Sequence, residues 1–372
     1  MIELMIIWLL LRVNKNAKSL IYRLKNIEWD MNRNISILSK TKDASIERLH
    51  IVTWDIKSKN YYTEYGLEIN KGFGKTDELV LKLSLPCLPS NSEDIISLDK
   101  NLSDLENCRF IFNSDVKQVT PIGSGGVSGN TVTFEGDRKI TILSSQDMEI
   151  SKDVLEIKIS NLKSIQGEVV YLRFLVKSFQ APFQTKKNEI SRRMINYDVR
   201  VNESRTASES VKQLQKDDFS FMSVKSCFCL HIIPVEYSMG VIDSTKLKEM
   251  RELESESFEK YLGEIARKEE VVLKPSSYNI VFYKQKDREN YSFFSVFYEE
   301  TLTNTQLGIA IAVNIFSTSL FAFYELRTKV NPELKWAQTP WEYRIALSVI
   351  VYALGWFFWN VMKSKYLRLK RR

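Results

Sequence analysis

The chain has 372 residues with an apolar share of 44%, so it is long enough for two domains or for one large domain with a membrane anchor. Its formal net charge is +7. Six of the basic residues lie within the last ten positions, namely Lys363, Lys365, Arg368, Lys370, Arg371 and Arg372. The rest of the chain is nearly neutral, which excludes the broad basic surface of a nucleic-acid-binding protein.

The N-terminal segment, residues 1–35, has an apolar seam at heptad spacing. Ile6, Leu10, Val13, Ala17 and Leu20 alternate steps of four and three, and basic residues lie off this seam. The spacing predicts an amphipathic, basic helix. Three roles stay open for it: packing on its own domain, lying on the inner leaflet of a membrane, or forming an oligomeric coiled coil.

From about residue 47 the apolar spacing changes to a period of two, which is typical of strands with one buried face. The predicted strands are 79–85, 108–112, 131–134, 139–143, 154–159 and 169–176. Many short strands separated by polar turns favour an antiparallel β-sandwich-like domain over 45–205 and make the chain mainly β.

The region 206–300 is predicted to continue this domain or to form a second β-rich subdomain. The preceding stretch, 179–217, reads as a loop with an embedded strand at 197–201. An apolar stripe after Ser244 predicts one long helix over 244–268. Two further strands, 278–283 and 291–298, are expected to form a hairpin.

Two uncharged segments, 307–324 and 345–362, predict two C-terminal transmembrane helices. Four tryptophans are predicted membrane-interface anchors: Trp336 and Trp341 lie between the two segments, and Trp356 and Trp359 lie toward the end of the second one. The excess of basic residues in the tail, 363–372, predicts that this tail and the large β domain are cytosolic and that the protein is integral to the inner or plasma membrane.

Polar residues inside the two predicted spans form a candidate seam between helices. They are Asn314, Ser317, Thr318, Ser319 and Asn360. An amide in hydrocarbon needs a partner, so these residues indicate either packing of the helix pair or assembly of several chains around a polar seam.

The most basic cluster of the β domain is a candidate site for an anionic ligand or a lipid head group. It comprises Lys186, Lys187, Arg192, Arg193, Arg200 and Arg205. A solvated loop is the simpler interpretation of the same residues.

Catalytic and metal-binding motifs are not evident in the sequence. Cys227, Cys229 and His231 share one face of a predicted strand, which favours burial in the core over a metal site. His50, the second histidine, also lies in a strand-like context. We therefore expect no catalytic residue, cofactor or metal, although enzymatic activity stays open.

The layout favours a membrane-anchored, non-enzymatic sensor or effector whose β domain binds a ligand or partner. Its expected partners are the lipid bilayer and either further copies of the chain or another protein. As a layout, without a shared motif, it resembles the membrane effectors of bacterial anti-phage signalling. A tethered scaffold with a passive anchor and a membrane-bound enzyme acting on lipid or sugar are the alternatives.

Overall fold

The computed structural model describes residues 33–56, 59–70, 77–122, 128–144, 147–151, 153–165, 169–188, 192–253 and 278–300, with residues 261 and 263. It also describes residues 308, 310, 311, 313, 314, 316–321, 324 and 325. The chain divides into two units, Met1–Glu299 and Glu300–Arg372. The predicted N-terminal helix lies outside the described residues, except that a strand begins at Asn34.

The described part of the chain is built almost entirely of strands. They are β1 Asn34–Ser39, β2 Ser45–Trp54, β3 Tyr61–Asn70, β4 Leu79–Ser84, β5 Ile95–Ser97, β6 Val116–Ile122, β7 Gly129–Phe134, β8 Lys139–Leu143, β9 Asp147–Ser151, β10 Val154–Ile159, β11 Val169–Ser178, β12 Gln184–Asn188, β13 Arg192–Val201, β14 Ser220–Phe221, β15 Ser223–Val224, β16 Ser226–Pro234, β17 Tyr237–Ile242, β18 Leu247–Glu252, β19 Tyr278–Lys286 and β20 Tyr291–Glu300. Helix α1 spans Leu105–Phe112 and helix α2 spans Glu209–Lys216.

The strands form two sheets. Sheet 1 has the order β17-β20-β13-β1-β4-β10-β9, with β12 beside β13 and β14 beside β1. Sheet 2 has the order β18-β19-β16-β2-β3-β11-β8-β7-β6, with β15 beside β2 and β5 beside β11. The pairs β1–β13, β2–β16 and β8–β11 are parallel, so the sheets are mixed and not purely antiparallel as predicted.

The core lies between the two sheets. Leu79, Leu81 and Leu83 of β4 are buried with Ile51 and Leu67 of sheet 2 in one apolar cluster. Alternate residues along these strands point into the cluster, as a period of two requires. The prediction of a mainly β chain with two sheets is confirmed.

Two predicted elements have a different secondary structure. Residues 108–112, predicted as a strand, end α1, because the Asp104 side chain accepts hydrogen bonds from the amides of Glu106 and Asn107 and caps a helix. The helix predicted over 244–268 is wrong at its start. There β18 pairs antiparallel with β19, and backbone pairing overrides the helical periodicity of the apolar residues. Tyr261 and Gly263, further along, are helical.

The predicted hairpin of 278–283 and 291–298 is also wrong. Both strands exist, but β19 lies in sheet 2 and β20 lies in sheet 1. The Tyr283 hydroxyl and the Ser295 hydroxyl are hydrogen-bonded across the core at 2.6 Å. The turn between these strands therefore carries the chain from one sheet to the other.

The predicted membrane anchor requires correction. Among the residues that the structure describes, no helix is long and apolar enough to cross a membrane. A span needs about 20 consecutive apolar residues. The described helical residues of 307–324 include Asn314, and the Ser317 and Thr318 hydroxyls donate to backbone carbonyls one turn earlier. The prediction of two C-terminal transmembrane helices, and of the integral-membrane localisation that rests on them, is corrected to this extent: no helix within the described residues could form such a span. The second segment, 345–362, and the tail, 363–372, lie outside the described residues.

Candidate ligand-binding groove

A groove of about 620 Å³ lies on the face of sheet 2 that points away from the sandwich core. His50, Val52 and Trp54 of β2 line it, whereas Leu49 and Ile51, their neighbours on the strand, point into the core. The volume is in the range of pockets that take small organic ligands.

The groove floor is formed by β2, β16 and β19, whose residues stand in three cross-strand rows. The strand register defines a basic row (His50, Phe228, Lys284), a middle row (Val52, Leu230, Phe282) and an apolar row (Trp54, Ile232, Ile280). Successive rows are two residues apart, which is about 7 Å along the strands. The floor thus changes from charged to apolar along the strand direction.

Two walls close the sides of the groove. Phe110 and Ile111 at the end of α1 pack against the buried cluster that contains the apolar row, and the Phe110 ring lies 5.9 Å from the ring of Tyr261. On the other side, β18 contributes Lys248 and Arg251. The apolar row is therefore covered by α1, while basic side chains from the edge strand stand on the opposite rim.

Positive charge predominates among the lining residues, eight of which are basic and four acidic. Arg48 and Arg138 both pair with Glu68, and Lys225 pairs with Glu47 at 2.6 Å. A second set has no carboxylate partner within 4 Å in the described part of the chain: Lys248, Lys284 and Lys286.

These three lysines influence one another electrostatically, and two of them stand over aromatic rings. The Lys284 ammonium lies 5.0 Å from the centre of the Phe228 ring, and the Lys248 ammonium lies 5.4 Å from that of Phe282. Burial, followed by the charges of Lys286 and Lys248, lowers the pKa of Lys284. An anion placed here would relieve the repulsion between the ammonium groups.

A buried ion pair supports the floor. Arg173 on β11 and Glu64 on β3 are almost wholly buried, at 3% and 0% side-chain exposure, and their guanidinium and carboxylate are hydrogen-bonded through Nε at 2.9 Å and through Nη2. Glu64 also accepts from Trp54 Nε1 at 2.8 Å and from the Tyr261 hydroxyl at 2.9 Å. The carboxylate Glu64 thus fixes the apolar-row tryptophan and one wall of the groove.

The same ion pair holds His50 in one protonation state. Arg173 Nη1 donates to the Tyr171 hydroxyl at 2.9 Å, and that hydroxyl lies 3.0 Å from His50 Nδ1. Burial, followed by the charges of three arginines, lowers the pKa of His50 to about 3. The imidazole is therefore neutral near pH 7, and its Nδ1 shares a hydrogen bond with the Tyr171 hydroxyl.

Gly66 on β3 makes room for this network. A Cβ atom at this position would lie 2.3 Å from the Tyr171 hydroxyl oxygen and 3.2 Å from Arg173 Nη1. No side chain fits at that separation unless the tyrosine moves. Glycine is thus required because two buried polar groups approach the strand backbone closely.

The predicted basic patch is on β12 and β13 of sheet 1 and the turn that follows. Lys186 and Arg193 line a second pocket of about 240 Å³, and Lys187 is exposed. Three of the arginines have acidic partners: Arg193 with Glu299 at 2.7 Å, Arg200 with Asp198 at 2.7 Å and Arg205 with Glu203 at 2.8 Å. Arg192 stands 4.3 Å from the centre of the Tyr298 ring. As an anion site the patch stays a prediction.

The predicted seam residues belong to the second unit. Asn314, Ser317, Thr318 and Ser319 are helical, and Ser317 Oγ donates to the Val313 carbonyl at 2.8 Å. Asn360 and the predicted anchors Trp336, Trp341, Trp356 and Trp359 lie outside the described residues. The seam and the anchors are not tested by the structure.

Cys227, Cys229 and His231 share one face of β16, as predicted, and that face is buried in the core. His231 Nδ1 is hydrogen-bonded to the Thr53 hydroxyl at 2.7 Å, and the Cys229 sulfur lies 3.8 Å from Nε2. Burial lowers the pKa of His231 to about 3 and raises the pKa of the Cys229 thiol. Among the described residues, no group of three side chains is placed to hold a metal ion.

Sequence reasoning missed the groove, although β16 carries a signal for it. The run from Cys227 to Ile233 is apolar or aromatic at most positions on both faces of the strand. Such a run is typical of a strand that is covered on both sides. Phe228, Leu230 and Ile232 therefore indicate that the outward face of sheet 2 is covered too.

Comparison with known proteins adds little. No family model and no curated protein matches the chain. The solved structures that resemble it include one of a Parabacteroides distasonis protein that carries a provisional protease name, with 9% identity and a TM-score of 0.27 over 79% of this chain and 47% of that one. At that TM-score the likeness carries no argument about fold or activity.

Proposed function

We propose that the chain is a non-enzymatic sensor or effector whose β domain binds a small anionic ligand in the groove on sheet 2. One observation carries this assignment: Lys248, Lys284 and Lys286 line a groove with a largely apolar floor and have no carboxylate partner among the described residues. Cations left without counter-ions beside a ligand-sized apolar groove are complementary to an anion with an apolar body. Membrane coupling is not part of this proposal.

A binding role fits the polar groups of the floor better than catalysis does. His50, with a pKa lowered to about 3, is too weak a base for proton abstraction near pH 7. Arg173 is held by Glu64, and the Tyr171 hydroxyl is held by Arg173 and His50. These groups stabilise the shape of the floor, which favours selection of a ligand over conversion of a substrate.

A variant that fills the groove tests this role. Leu230→Trp places an indole in the middle row, so the affinity for the fluorescent anion 1-anilinonaphthalene-8-sulfonate is expected to fall about tenfold or more, a loss of ~1.4 kcal/mol. Fluorescence titration measures the affinity, and circular dichroism verifies that the variant is folded.

The matched control is Val241→Trp on the edge strand β17, where the side chain is 55% exposed and outside the groove. Its affinity is expected to stay within about twofold of the wild type, since surface substitutions rarely change more than ~0.5 kcal/mol. Lys284→Glu gives a second route, because it reverses a charge without filling the groove. If folded Leu230→Trp and Lys284→Glu proteins both bind as the wild type does, the groove is not the site.

A further inference from the structure

We infer that the ligand is an amphipathic anion with an unbranched apolar chain, free in solution, which lies along the strands with its head at the basic row and its chain toward the apolar row. This inference rests on the proposed function and names the class of ligand for the same groove.

The head position follows from where the charges are. Lys284 belongs to the basic row, and Lys286 is one step further from the apolar row on β19. A ligand carboxylate or phosphate at this end meets both ammonium groups, whereas a ligand ammonium group would be repelled.

The position of the ligand chain follows from the apolar side chains beyond the basic row. Trp54, Ile232 and Ile280 are nearly covered, at 3%, 2% and 5% exposure, whereas Leu230 and Phe282 of the middle row are only partly buried and leave apolar surface open to the groove. The polar atom of the apolar row, Trp54 Nε1, already donates to Glu64. The apolar row thus requires no polar ligand group, and burial of methylene groups on the open surface of the middle row that leads to it is favourable.

Strand β18, at the rim of the groove, does not change this arrangement of one basic end and one apolar end. Arg251 on β18 is opposite Ile280 of the apolar row, but the Glu249 carboxylate lies 3.8 Å from it and offsets part of its charge. Lys248, which has no such partner, stands over the Phe282 ring of the middle row. The basic row and the apolar row are about 13 Å apart along the strands. An extended ligand chain spans that distance, whereas a compact apolar body does not.

A series of straight-chain carboxylates from hexanoate to dodecanoate, titrated by calorimetry into the intact chain, tests the inference. Each added methylene is expected to raise the affinity about fourfold until the chain reaches the apolar row, after which the affinity levels off. Decanol, which has the chain but not the charge, is expected to bind at least about tenfold more weakly than decanoate.

Paired lysine variants locate the head. Lys284→Gln with Lys286→Gln is expected to weaken decanoate about tenfold and to leave decanol unchanged, since only the head contacts these residues. The charge-matched control, Lys186→Gln with Lys187→Gln on the predicted patch of sheet 1, is expected to change neither. If the control variant loses affinity for decanoate and the groove variant does not, the inference is overturned.

The outcomes separate the ligand class from the function. Binding of 1-anilinonaphthalene-8-sulfonate that depends on Leu230, together with no dependence on carboxylate chain length, overturns the chain-like ligand and leaves the groove as a binding site. If the protein binds neither 1-anilinonaphthalene-8-sulfonate in this groove nor the carboxylates, the chain-like ligand and the binding function of the groove are both overturned. Binding to phosphatidylglycerol vesicles that depends on Lys284, without binding of free decanoate, assigns the anion to a lipid surface and overturns the free ligand.

Discussion

Replacing Arg173 by methionine is expected to lower the free energy of unfolding by about 3–5 kcal/mol, a large part of the total stability of a typical domain. The Glu64 carboxylate is completely buried and would lose its charged partner, retaining only the Trp54 and Tyr261 donors. An uncompensated buried charge is costly because no water replaces the lost guanidinium. Urea denaturation followed by far-ultraviolet circular dichroism measures the change.

Two controls separate this effect from the loss of a surface charge. Lys158→Met removes a cation that is 45% exposed and 3.3 Å from Glu156, so its cost is expected to stay within about 0.5 kcal/mol. The double variant Glu64→Gln with Arg173→Met is expected to be more stable than Arg173→Met alone, since the buried negative charge is gone. A cost below about 1 kcal/mol for Arg173→Met would show that the pair does not hold the floor.

Acidification is expected to destabilise the chain well above the pH at which ordinary carboxylates titrate. Burial is the main cause that lowers the pKa of both His50 and His231 to about 3, from 6.5 in the unfolded chain. Between these values the unfolded state binds more protons than the folded state, so the free energy of unfolding falls as the pH falls. Each histidine contributes at most about 1.4 kcal/mol per pH unit.

Urea midpoints at pH 7, 6 and 5 measure this dependence. Most of the contribution is present at pH 7 and is lost progressively on going below pH 6.5. In the variant His231→Gln the slope between pH 6 and pH 5 is expected to be about half that of the wild type, because only His50 then takes up a proton. A wild-type stability that is flat from pH 7 to pH 5 would contradict neutral, buried histidines.

The sequence predicts strands well where one face is buried and the period of two is strict. The predictions 139–143 and 154–159 match β8 and β10 residue for residue, because their apolar positions alternate between turns. The prediction of a strand at 108–112 is wrong because its four apolar or aromatic residues fit both periods, and the cap at Asp104 decides for the helix. Local pattern therefore identifies strands but not short capped helices.

The groove could not be predicted because its floor is assembled by long-range pairing. Thr53 and His231 are hydrogen-bonded but 178 residues apart in the sequence, and β2 pairs with β16 in parallel. A single lysine such as Lys284 has no sequence context that marks it as part of a site. The basic run 186–193 is conspicuous in the sequence, but two of its members line the smaller pocket. The lysines that lack carboxylate partners become evident only when the strands are placed side by side.

Photo-crosslinking with a long-chain carboxylate that carries a diazirine at the chain end tests the central claim most directly. After irradiation and proteolysis, mass spectrometry is expected to find the label on peptides of β2, β16 and β19, at or beside Trp54, Ile232 and Ile280, and excess decanoate is expected to suppress it. Label that collects instead on the exposed apolar residues of β17, Met239 and Val241, or that decanoate does not suppress, would contradict a ligand-binding groove on sheet 2.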